Sequence, residues 1–263
     1  MFWAIVNNNK VRPEPNTFGT CPSCGGKVHS KCGDVNEWHW AHYNGENCDS
    51  WYEPESHWHL DWKMTFGMEC AEQVIRKNDK VHRADILTMQ NVVIELQNSP
   101  IQKGVISERE KFYGEKMLWL INGNHFRSNF RIYDPDGPYN RWLSKHNQSK
   151  GIKGKKSFEW NYARKSWAEV KTHVFIDFGT DTLFWVRYGM GTKNGVGVFV
   201  TKQDFILKYG GDYDYYQEQF ELRRKEEEQR QMKIKRKEEE EKSKRIQLGY
   251  MRLMRSYKRR KRW

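Results

Sequence analysis

The chain has 263 residues and a formal net charge of +12, from 46 lysines and arginines against 34 aspartates and glutamates. This length fits one or two domains. Hydrophobic residues make up only 37%, but 12 tryptophans compensate, because each buried ring removes a large area from water. No run of about 18 apolar residues occurs, so a membrane-spanning helix and a membrane partner are excluded.

The amino end has no basic stretch ahead of its short apolar segment, so we expect no secretory signal. The five cysteines are an odd number, and without a secretory signal they argue against a disulfide framework. In a reducing compartment, closely spaced cysteines more often bind metal. The sequence therefore predicts a cytoplasmic protein whose cysteines serve a metal site.

Two cysteines and two histidines near the amino end have the spacing of zinc ligands. Cys21 and Cys24 have two residues between them and precede two glycines that allow a tight turn, and His39 and His42 follow. The pattern Cys-x2-Cys-x14-His-x2-His is close to a common zinc-finger spacing. Four protein ligands leave no open position for a reaction, so we predict a structural zinc site that orders residues 1–50.

Other readings of this segment remain open. Cys32 and Cys48 compete as ligands with the four residues above. Alternatively, the thiols are free and His39 packs beside Trp38 and Trp40.

Residues 53–66 have a helical pattern, with Pro54 suited to the first turn. Two stripes recur every four residues on adjacent faces of the predicted helix. The apolar stripe is Trp58, Trp62 and Phe66, and the polar stripe is Glu55, His59 and Lys63.

A strand over 70–76 and a hairpin of strands 81–89 and 92–97 follow the helix. The length of the hairpin loop decides which side chains face each other. A two-residue loop places Asp85 opposite Leu96, whereas a three-residue loop over 89–91 places it opposite Glu95. We predict the second register, with both carboxylates within reach of one cation.

Glu95 stands in the apolar run Val92-Val-Ile-Glu-Leu. A buried carboxylate is costly unless it is paired or bound to a metal ion. Two carboxylates and water suit Mg²⁺ or Mn²⁺, which can activate a water molecule and stabilise displacement at a phosphodiester. The alternative is an edge strand on which Glu95 faces solvent.

The second half of the chain starts at a turn cluster over 134–138. A basic loop over 150–156 is either an exposed linker or a phosphate contact, and 160–167 is predicted to be a short helix with both tryptophans buried. Strands are predicted over 173–178, 183–188 and 195–200. Together these elements suggest a small aromatic β unit, whose rings pack in a core or stack on bases.

The final segment, residues 211–263, contains 18 basic and 11 acidic residues in alternating blocks. Opposite charges three and four residues apart favour a solvated helix. Its end carries a basic cluster suited to phosphates, namely Lys258, Arg259, Arg260, Lys261 and Arg262. Alternatives are a merely solubilising end or a helix that docks a partner protein. The predicted divisions are 1–50, 51–135, 136–210 and 211–263.

Taken together, these residues resemble the competence protein CoiA-like family, whose core is similar to the PD-(D/E)XK nuclease fold. The resemblance covers residues 1–125 and continues weakly to about 210. Its motifs are Cys21-Pro-Ser-Cys24, Trp38-His-Trp-Ala-His42, Glu55-Ser56 with His59 and Lys63, Arg83-Ala-Asp85, Glu95-Leu-Gln-Asn-Ser-Pro-Ile101, Ser107, Arg109, Tyr113 and Trp119-Leu-Ile121.

The resemblance implies an α+β protein with an αβββαβ nuclease-like core. It implies that Asp85 and Glu95 are metal ligands and that Glu55 is an additional acid near the metal. Gln97 stands where the wider superfamily has a lysine that orients water, and a neutral amide can only form hydrogen bonds. Lys63 is a candidate replacement for that lysine, or else a solvated helix residue.

Further residues in this region each allow two roles. Arg83 either pairs with Glu95 or binds a phosphate. Ser107 has the spacing to begin a helix by capping. Arg109 and Tyr113, one turn apart, face DNA or pack in the core.

The sequence thus predicts a DNA nuclease with a structural zinc ion and a catalytic Mg²⁺ or Mn²⁺, encoded by a bacterium or a phage. A second hypothesis is an inactive protein that binds nucleic acid on a nuclease-like scaffold. A third is a protein that docks a recombination or phage partner through its tail helix.

Overall fold

The computed structural model describes residues 1–33, 37–44, 48–51, 54–134 and 153–260. The chain forms two compact units, Met1–Tyr213 and Asp214–Trp263. In the second unit, side chains are described as far as residue 243, apart from those at 227, 230, 234 and 237.

A five-stranded antiparallel sheet forms the amino-terminal part of the first unit, in the spatial order β2-β1-β3-β4-β5. The strands are β1 (Ala4–Val6), β2 (Asn9–Val11), β3 (Phe18–Thr20), β4 (Lys27–Lys31) and β5 (His39–His42). Asn7 and Asn8 both have positive φ, as the two-residue loop of a β-hairpin requires. Val28 and Trp40 are buried in a small core of their own.

A nine-stranded sheet forms the rest of the first unit, among the described residues, in the order β10-β11-β14-β13-β12-β9-β8-β7-β6. Its strands are β6 (Ala71–Lys77), β7 (Lys80–Leu87), β8 (Val93–Gln97), β9 (Met117–Asn122), β10 (Phe130–Tyr133), β11 (Lys156–Trp160), β12 (His173–Asp177), β13 (Thr182–Tyr188) and β14 (Asn194–Thr201). β9 lies parallel to both β8 and β12, and the other neighbouring pairs are antiparallel.

The strands expected in a separate aromatic unit over 136–210 instead extend the sheet of the core, because β12 pairs directly with β9. Every residue of β9 is buried, which is typical of a central parallel strand covered on both faces. Aromatic rings from both halves of the chain share one core, including Trp119, Phe158 and Phe184, all with exposures near 0%.

The helices are α1 (His57–Thr65), α2 (Lys103–Tyr113), α3 (Lys202–Lys208) and α4 (Tyr213–Arg260), with 3-10 helices at Asn124–Asn129 and Lys165–Trp167. The order from α1 to β9 is therefore α-β-β-β-α-β, the order that the resemblance implies. The predicted mixed α and β fold is confirmed.

Two predicted helix boundaries and one predicted helix are wrong. α1 begins after Ser56, whose backbone N–H donates to His59 Nδ1, so Pro54 precedes the helix. α2 starts a turn before Ser107, which therefore lies inside it. A helix over 160–167 does not form, because β11 continues to Trp160 and only a short 3-10 turn follows; both tryptophans are nevertheless buried, as predicted.

α4 spans 48 residues, in line with the predicted tail helix. Ion pairs one turn apart join Arg224 to Glu228 and Arg236 to Glu240 on exposed faces. Among the described residues, no helix combines the length and the apolar character needed to cross a bilayer. The side chains of the predicted basic cluster 258–262, most of the turn 134–138 and part of the loop 150–156 lie outside the described residues.

Candidate functional site

Four side chains able to ligate a metal ion converge beside the turn between β3 and β4. The ligand atoms of Cys21, Cys24, His42 and Cys48 all lie within 4.8 Å of one another. Cys21 and Cys24 enclose a tight turn in which the Gly25 N–H donates to the Cys21 carbonyl at 2.9 Å. Gly25 has a φ of 73°, a conformation that glycine adopts without strain.

Two of the separations between these atoms are close to those of a tetrahedral zinc site. The Sγ atoms of Cys21 and Cys48 are 3.6 Å apart, and Cys24 Sγ is 3.4 Å from His42 Nε2. Zinc–ligand bonds of about 2.0–2.3 Å put the ligand atoms of a tetrahedron roughly 3.5–3.8 Å apart. Burial raises the pKa of the Cys48 thiol to about 12, so a bound cation would have to offset the cost of its thiolate.

The predicted ligand His39 is replaced by Cys48. His39 and His42 lie three residues apart on strand β5, and side chains an odd number of residues apart point to opposite faces of a strand. His39 Nδ1 is instead 2.7 Å from the Glu37 carbonyl oxygen. The zinc-finger spacing on which the prediction rested does not carry over to this strand, where only His42 faces the cysteines.

A short strap, Cys48–Trp51, runs from this metal centre to strand β7. The buried Asp49 carboxylate accepts the Arg83 N–H at 2.8 Å and lies 3.0 Å from His82 Nδ1. The Trp51 ring stacks on the His82 ring with centroids 3.3 Å apart. The strap thereby connects the Cys3His centre to a second cluster of charged side chains.

This second cluster surrounds a small cavity of about 30 Å³ in the first unit. A cavity of that size holds one or two waters or a single ion. Its lining residues are predominantly charged, and they are Asp49, Trp51, Glu55, His59, Arg83, Asp85, Glu95, Leu96 and Arg109. The acidic cavity therefore collects Glu55, Asp85 and Glu95, which were predicted to act together.

The hairpin register places Asp85 opposite Glu95. Ile86 pairs with Ile94 and Leu87 with Val93, so the next pair along is Asp85 and Glu95. Thr88 pairs with Val92 around a three-residue loop, and Asn91 adopts a positive φ of 58°. The predicted register is confirmed, whereas binding of a cation stays a prediction.

At this pair the two strands separate and the carboxylates replace the ladder hydrogen bonds. The Asp85 N–H donates to Glu95 Oε1 at 3.3 Å, and the Leu96 N–H donates to Asp85 Oδ2 at 2.9 Å. Each acid is therefore fixed by the backbone of the opposite strand, which orients both toward the cavity.

The Lys63 ammonium lies among three carboxylates. Its Nζ is 2.8 Å from Glu55 Oε1, 3.1 Å from Glu72 Oε1 and 3.0 Å from Asp85 Oδ1. The side chain is 1% exposed, so the alternative of a solvated lysine is wrong. Burial lowers its pKa, but Glu55, Asp85 and Glu72 more than offset this and raise the pKa above its usual value.

Arginines compensate the remaining acids, with different partners from those predicted. Glu95 pairs with Arg109 at 2.7 Å, whereas Nε of the Arg83 guanidinium lies 3.9 Å from Glu72 Oε2. Arg109 also donates to the Trp51 carbonyl at 2.6 Å and is 6% exposed. The prediction that Arg109 faces DNA is therefore wrong, because this face of α2 packs inward onto β8. The Arg83 side chain is likewise buried beside the cavity.

Gln97, which the resemblance places where the wider superfamily has a lysine, does not line the cavity. It is 3% exposed, and its amide Nε2 donates to the Ser99 carbonyl at 3.0 Å. Its predicted catalytic role finds no support in this arrangement, since its donor is directed to the end of its own strand.

The cavity carries more negative than positive charge. Counting only described side chains, the five carboxylates of Asp49, Glu55, Glu72, Asp85 and Glu95 face three permanent cations, Lys63, Arg83 and Arg109. Burial raises the pKa of Glu55 to about 7 and that of Glu95 to about 7, despite their cationic neighbours. For Asp85, burial acts to raise the pKa, but Lys63, His59 and the Leu96 N–H together outweigh it and lower the pKa. Ionisation of Glu55 and of Glu95 therefore costs more free energy in the folded protein than in water.

The sequence did not single out Glu72 or the strap. Glu72 is 2% exposed, has a φ of 47°, and accepts the Phe2 N–H at 2.9 Å. A non-glycine residue in this left-handed conformation is strained, and such strain concentrates at functional sites. The position of a glutamate directly after the apolar start of a strand was the one sequence feature that could have indicated a buried acid. Its partners are identified only by the tertiary contacts.

The fold and these two centres describe a Cys3His metal-binding segment connected to a buried acidic cavity. Residues 6–50 match the family described as Competence protein CoiA, N-terminal domain. The amino-terminal segment is thus similar to this domain, and the CoiA-like resemblance is supported there. The match ends before Glu55, Asp85 and Glu95. No curated protein and no solved structure was found to match the chain.

Proposed function

We propose that the chain is a metal-dependent nuclease that acts on DNA, with Asp85 and Glu95 binding one Mg²⁺ or Mn²⁺. The observation that carries this proposal is the register that sets the two carboxylates side by side on one cavity. Two oxygen ligands from neighbouring strands, with space for water, suit a small hard cation.

The charge of the cavity supports the same proposal. Five carboxylates outnumber the three lysine and arginine cations by two, and the nearby histidines and buried amino terminus offset this only when protonated. Without those protons, one divalent cation would neutralise the excess. Burial, with a smaller contribution from the neighbouring acids, raises the pKa of Glu55 and that of Glu95 to about 7, so both bind protons near neutral pH. A cation would displace those protons and let both acids ionise.

The residues around the cavity have separate tasks in this proposal. A bound Mg²⁺ or Mn²⁺ supplies activation of a water molecule and neutralises charge that develops on the phosphodiester. Asp85 and Glu95 hold the ion, while Arg109 keeps Glu95 in place through a 2.7 Å ion pair. Lys63, held by Glu55 and Asp85, supplies the buried positive charge at the cavity that the neutral Gln97 cannot supply.

The matched family is named for competence, which suggests that the DNA is handled during uptake or recombination. A setting in a phage or another mobile element accommodates the same chemistry. The basic surplus of +12 favours a polyanionic substrate in either setting.

The direct test incubates the protein with single- and double-stranded DNA in Mg²⁺ or Mn²⁺. Asp85→Asn and Glu95→Gln should each lower cleavage by at least about 100-fold, because even partners one step removed from a metal cost 10–100-fold. Asp79→Asn, at an exposed turn between β6 and β7, should cleave like the wild type. Equal cleavage by all four proteins would falsify the proposal.

A second candidate is an inactive scaffold that binds nucleic acid. It is favoured by the Lys63 ammonium, which already contacts Asp85 Oδ1, and by the Gln97 amide, which is committed to Ser99. In that case DNA binding would be salt-sensitive and no divalent ion would produce cutting.

A further inference from the structure

A broad groove lies beside strands β10, β11 and β14, far along the sheet from the acidic cavity. Its volume is about 850 Å³. Its wall combines aromatic, amide and basic side chains, and the residues that matter here are Arg131, Trp160, Tyr162, Lys165 and Lys193.

Tyr162 presents its ring to solvent at the rim of this groove. It is 90% exposed and has a φ of 61°, a left-handed conformation that a residue with a Cβ adopts only at a cost. The neighbouring backbone enforces it, because the Asn161 N–H donates to the Asn129 carbonyl at 2.8 Å, and the Trp160 N–H donates to the Lys193 carbonyl at 2.6 Å. Hydrophobic burial does not account for a strained and exposed aromatic ring, whereas contact with a ligand would.

The groove is positively charged. Arg131, Lys165 and Lys193 are exposed on its wall, and no carboxylate is among the lining residues that the structure describes. Glu159, outside the wall, lies 3.2 Å from Lys193 and directly opposite Arg131 across strands β10 and β11, so it offsets part of both charges and the groove keeps a net positive charge. The groove therefore favours an anionic ligand over a neutral or cationic one.

We propose that this groove binds single-stranded nucleic acid, with an unpaired base stacked on Tyr162 and phosphates held by Arg131, Lys165 and Lys193. An exposed ring accepts the face of an unpaired base, whereas bases inside a duplex are already stacked on each other. The three cations supply contacts to a phosphate backbone that do not depend on sequence.

This inference goes beyond the proposed nuclease and does not rest on it. β11 and β8 are five strand steps apart in the sheet, roughly 24 Å at about 4.8 Å per step. The groove is therefore a separate contact region, and its binding is measurable when no divalent ion is added and no cleavage can occur. If Tyr162 contributes to binding but no cleavage occurs with divalent ions, the nuclease proposal is contradicted and this inference still holds.

The experiment measures the fluorescence anisotropy of a labelled twelve-nucleotide oligothymidylate and of a duplex of equal length. Tyr162→Ala should weaken binding of the single strand by about 5- to 100-fold, the effect of losing one base stack. Tyr162→Phe should retain binding, and Tyr188→Ala, at a 44% exposed tyrosine on β13, should bind as the wild type does.

Tyr162→Gly separates binding from folding. Glycine adopts a positive φ without strain, so this variant should match or exceed the wild-type melting temperature while it binds as weakly as Tyr162→Ala. The triple variant Arg131→Ala, Lys165→Ala, Lys193→Ala should flatten the salt dependence by about two units of slope. Unchanged affinity in Tyr162→Ala and Tyr162→Gly, or duplex bound as tightly as single strand, would overturn the inference.

Discussion

At the level of single residues, Lys63 connects helix α1 to strands β6 and β7 through its contacts with Glu55, Glu72 and Asp85. A buried pair is worth little compared with apolar packing, yet removing one partner leaves the other charge buried and unpaired. Three acids share this one ammonium, so its loss affects the whole cavity.

Lys63→Met should lower the free energy of unfolding by about 3–5 kcal/mol, since it leaves buried carboxylates without their cation. Urea titration would measure the change. Lys80→Met, at an exposed position on β7, should change stability by less than about 0.5 kcal/mol. Similar losses in both variants would contradict the role assigned to Lys63.

The raised pKa of Glu95 predicts that the free energy of unfolding depends on pH. Its pKa is about 7 in the folded protein and about 4.5 in the unfolded chain, so the folded state binds its proton more tightly. The stability contributed by that proton is fully present below pH 4.5 and is lost as pH rises to 7. Glu95→Gln cannot ionise, so it should gain up to about 3 kcal/mol relative to the wild type over this interval.

Urea unfolding at pH 5 and pH 8, without divalent ions, tests this difference. The exposed Glu108→Gln variant is the control and should follow the wild-type profile. Parallel profiles for the wild type and Glu95→Gln would show that Glu95 ionises in the folded state without cost.

At the level of elements, the β7–β8 hairpin was predictable, because a period of two and the loop length fix which side chains meet. The metal centre was predictable only in part, since the two-residue gap between His39 and His42 has different meanings on a helix and on a strand. Glu72 and Asp49 were missed because their partners lie far away in sequence, and local patterns carry no information about them.

The strap Cys48–Trp51 physically links the metal centre to the acidic cavity, because Cys48 belongs to the first and Asp49 to the second. Metal analysis should find about one zinc per chain in the wild type; Cys48→Ser should lose it, whereas His39→Ala and Cys32→Ser should keep it. Because Asp49 follows Cys48 directly and accepts the Arg83 N–H, hydrogen exchange at Arg83 should accelerate in Cys48→Ser.

A zinc-free Cys48→Ser protein with wild-type exchange at Arg83 would contradict the mechanical connection. A folded wild-type protein without zinc would contradict the metal centre itself.

At the scale of the whole molecule, the first unit combines both centres and the groove, and the second is the charged helix α4. The sequence did not predict that the aromatic strands of 156–201 join the sheet of the core. The reason is that β9 and β12, which pair directly, lie far apart along the chain. The break in composition near residue 211 did predict where the helical tail starts.

Truncation after Tyr213 should leave a folded first unit, because that unit is compact by itself. If the 18 basic residues of the tail contact phosphates, the truncated protein should show a weaker dependence of DNA affinity on salt. Anisotropy titrations at several salt concentrations measure this slope. An unchanged slope would leave the tail as a solvated helix or a site for a partner protein, and loss of a partner complex on truncation would favour the latter.

The most direct measurement of the central claim is anomalous X-ray diffraction from crystals of the full chain soaked in Mn²⁺. The account predicts a manganese peak in the cavity, about 2.0–2.3 Å from carboxylate oxygens of both Asp85 and Glu95. A well-ordered map in which Lys63 still contacts Asp85 and no peak lies between the two acids would contradict it.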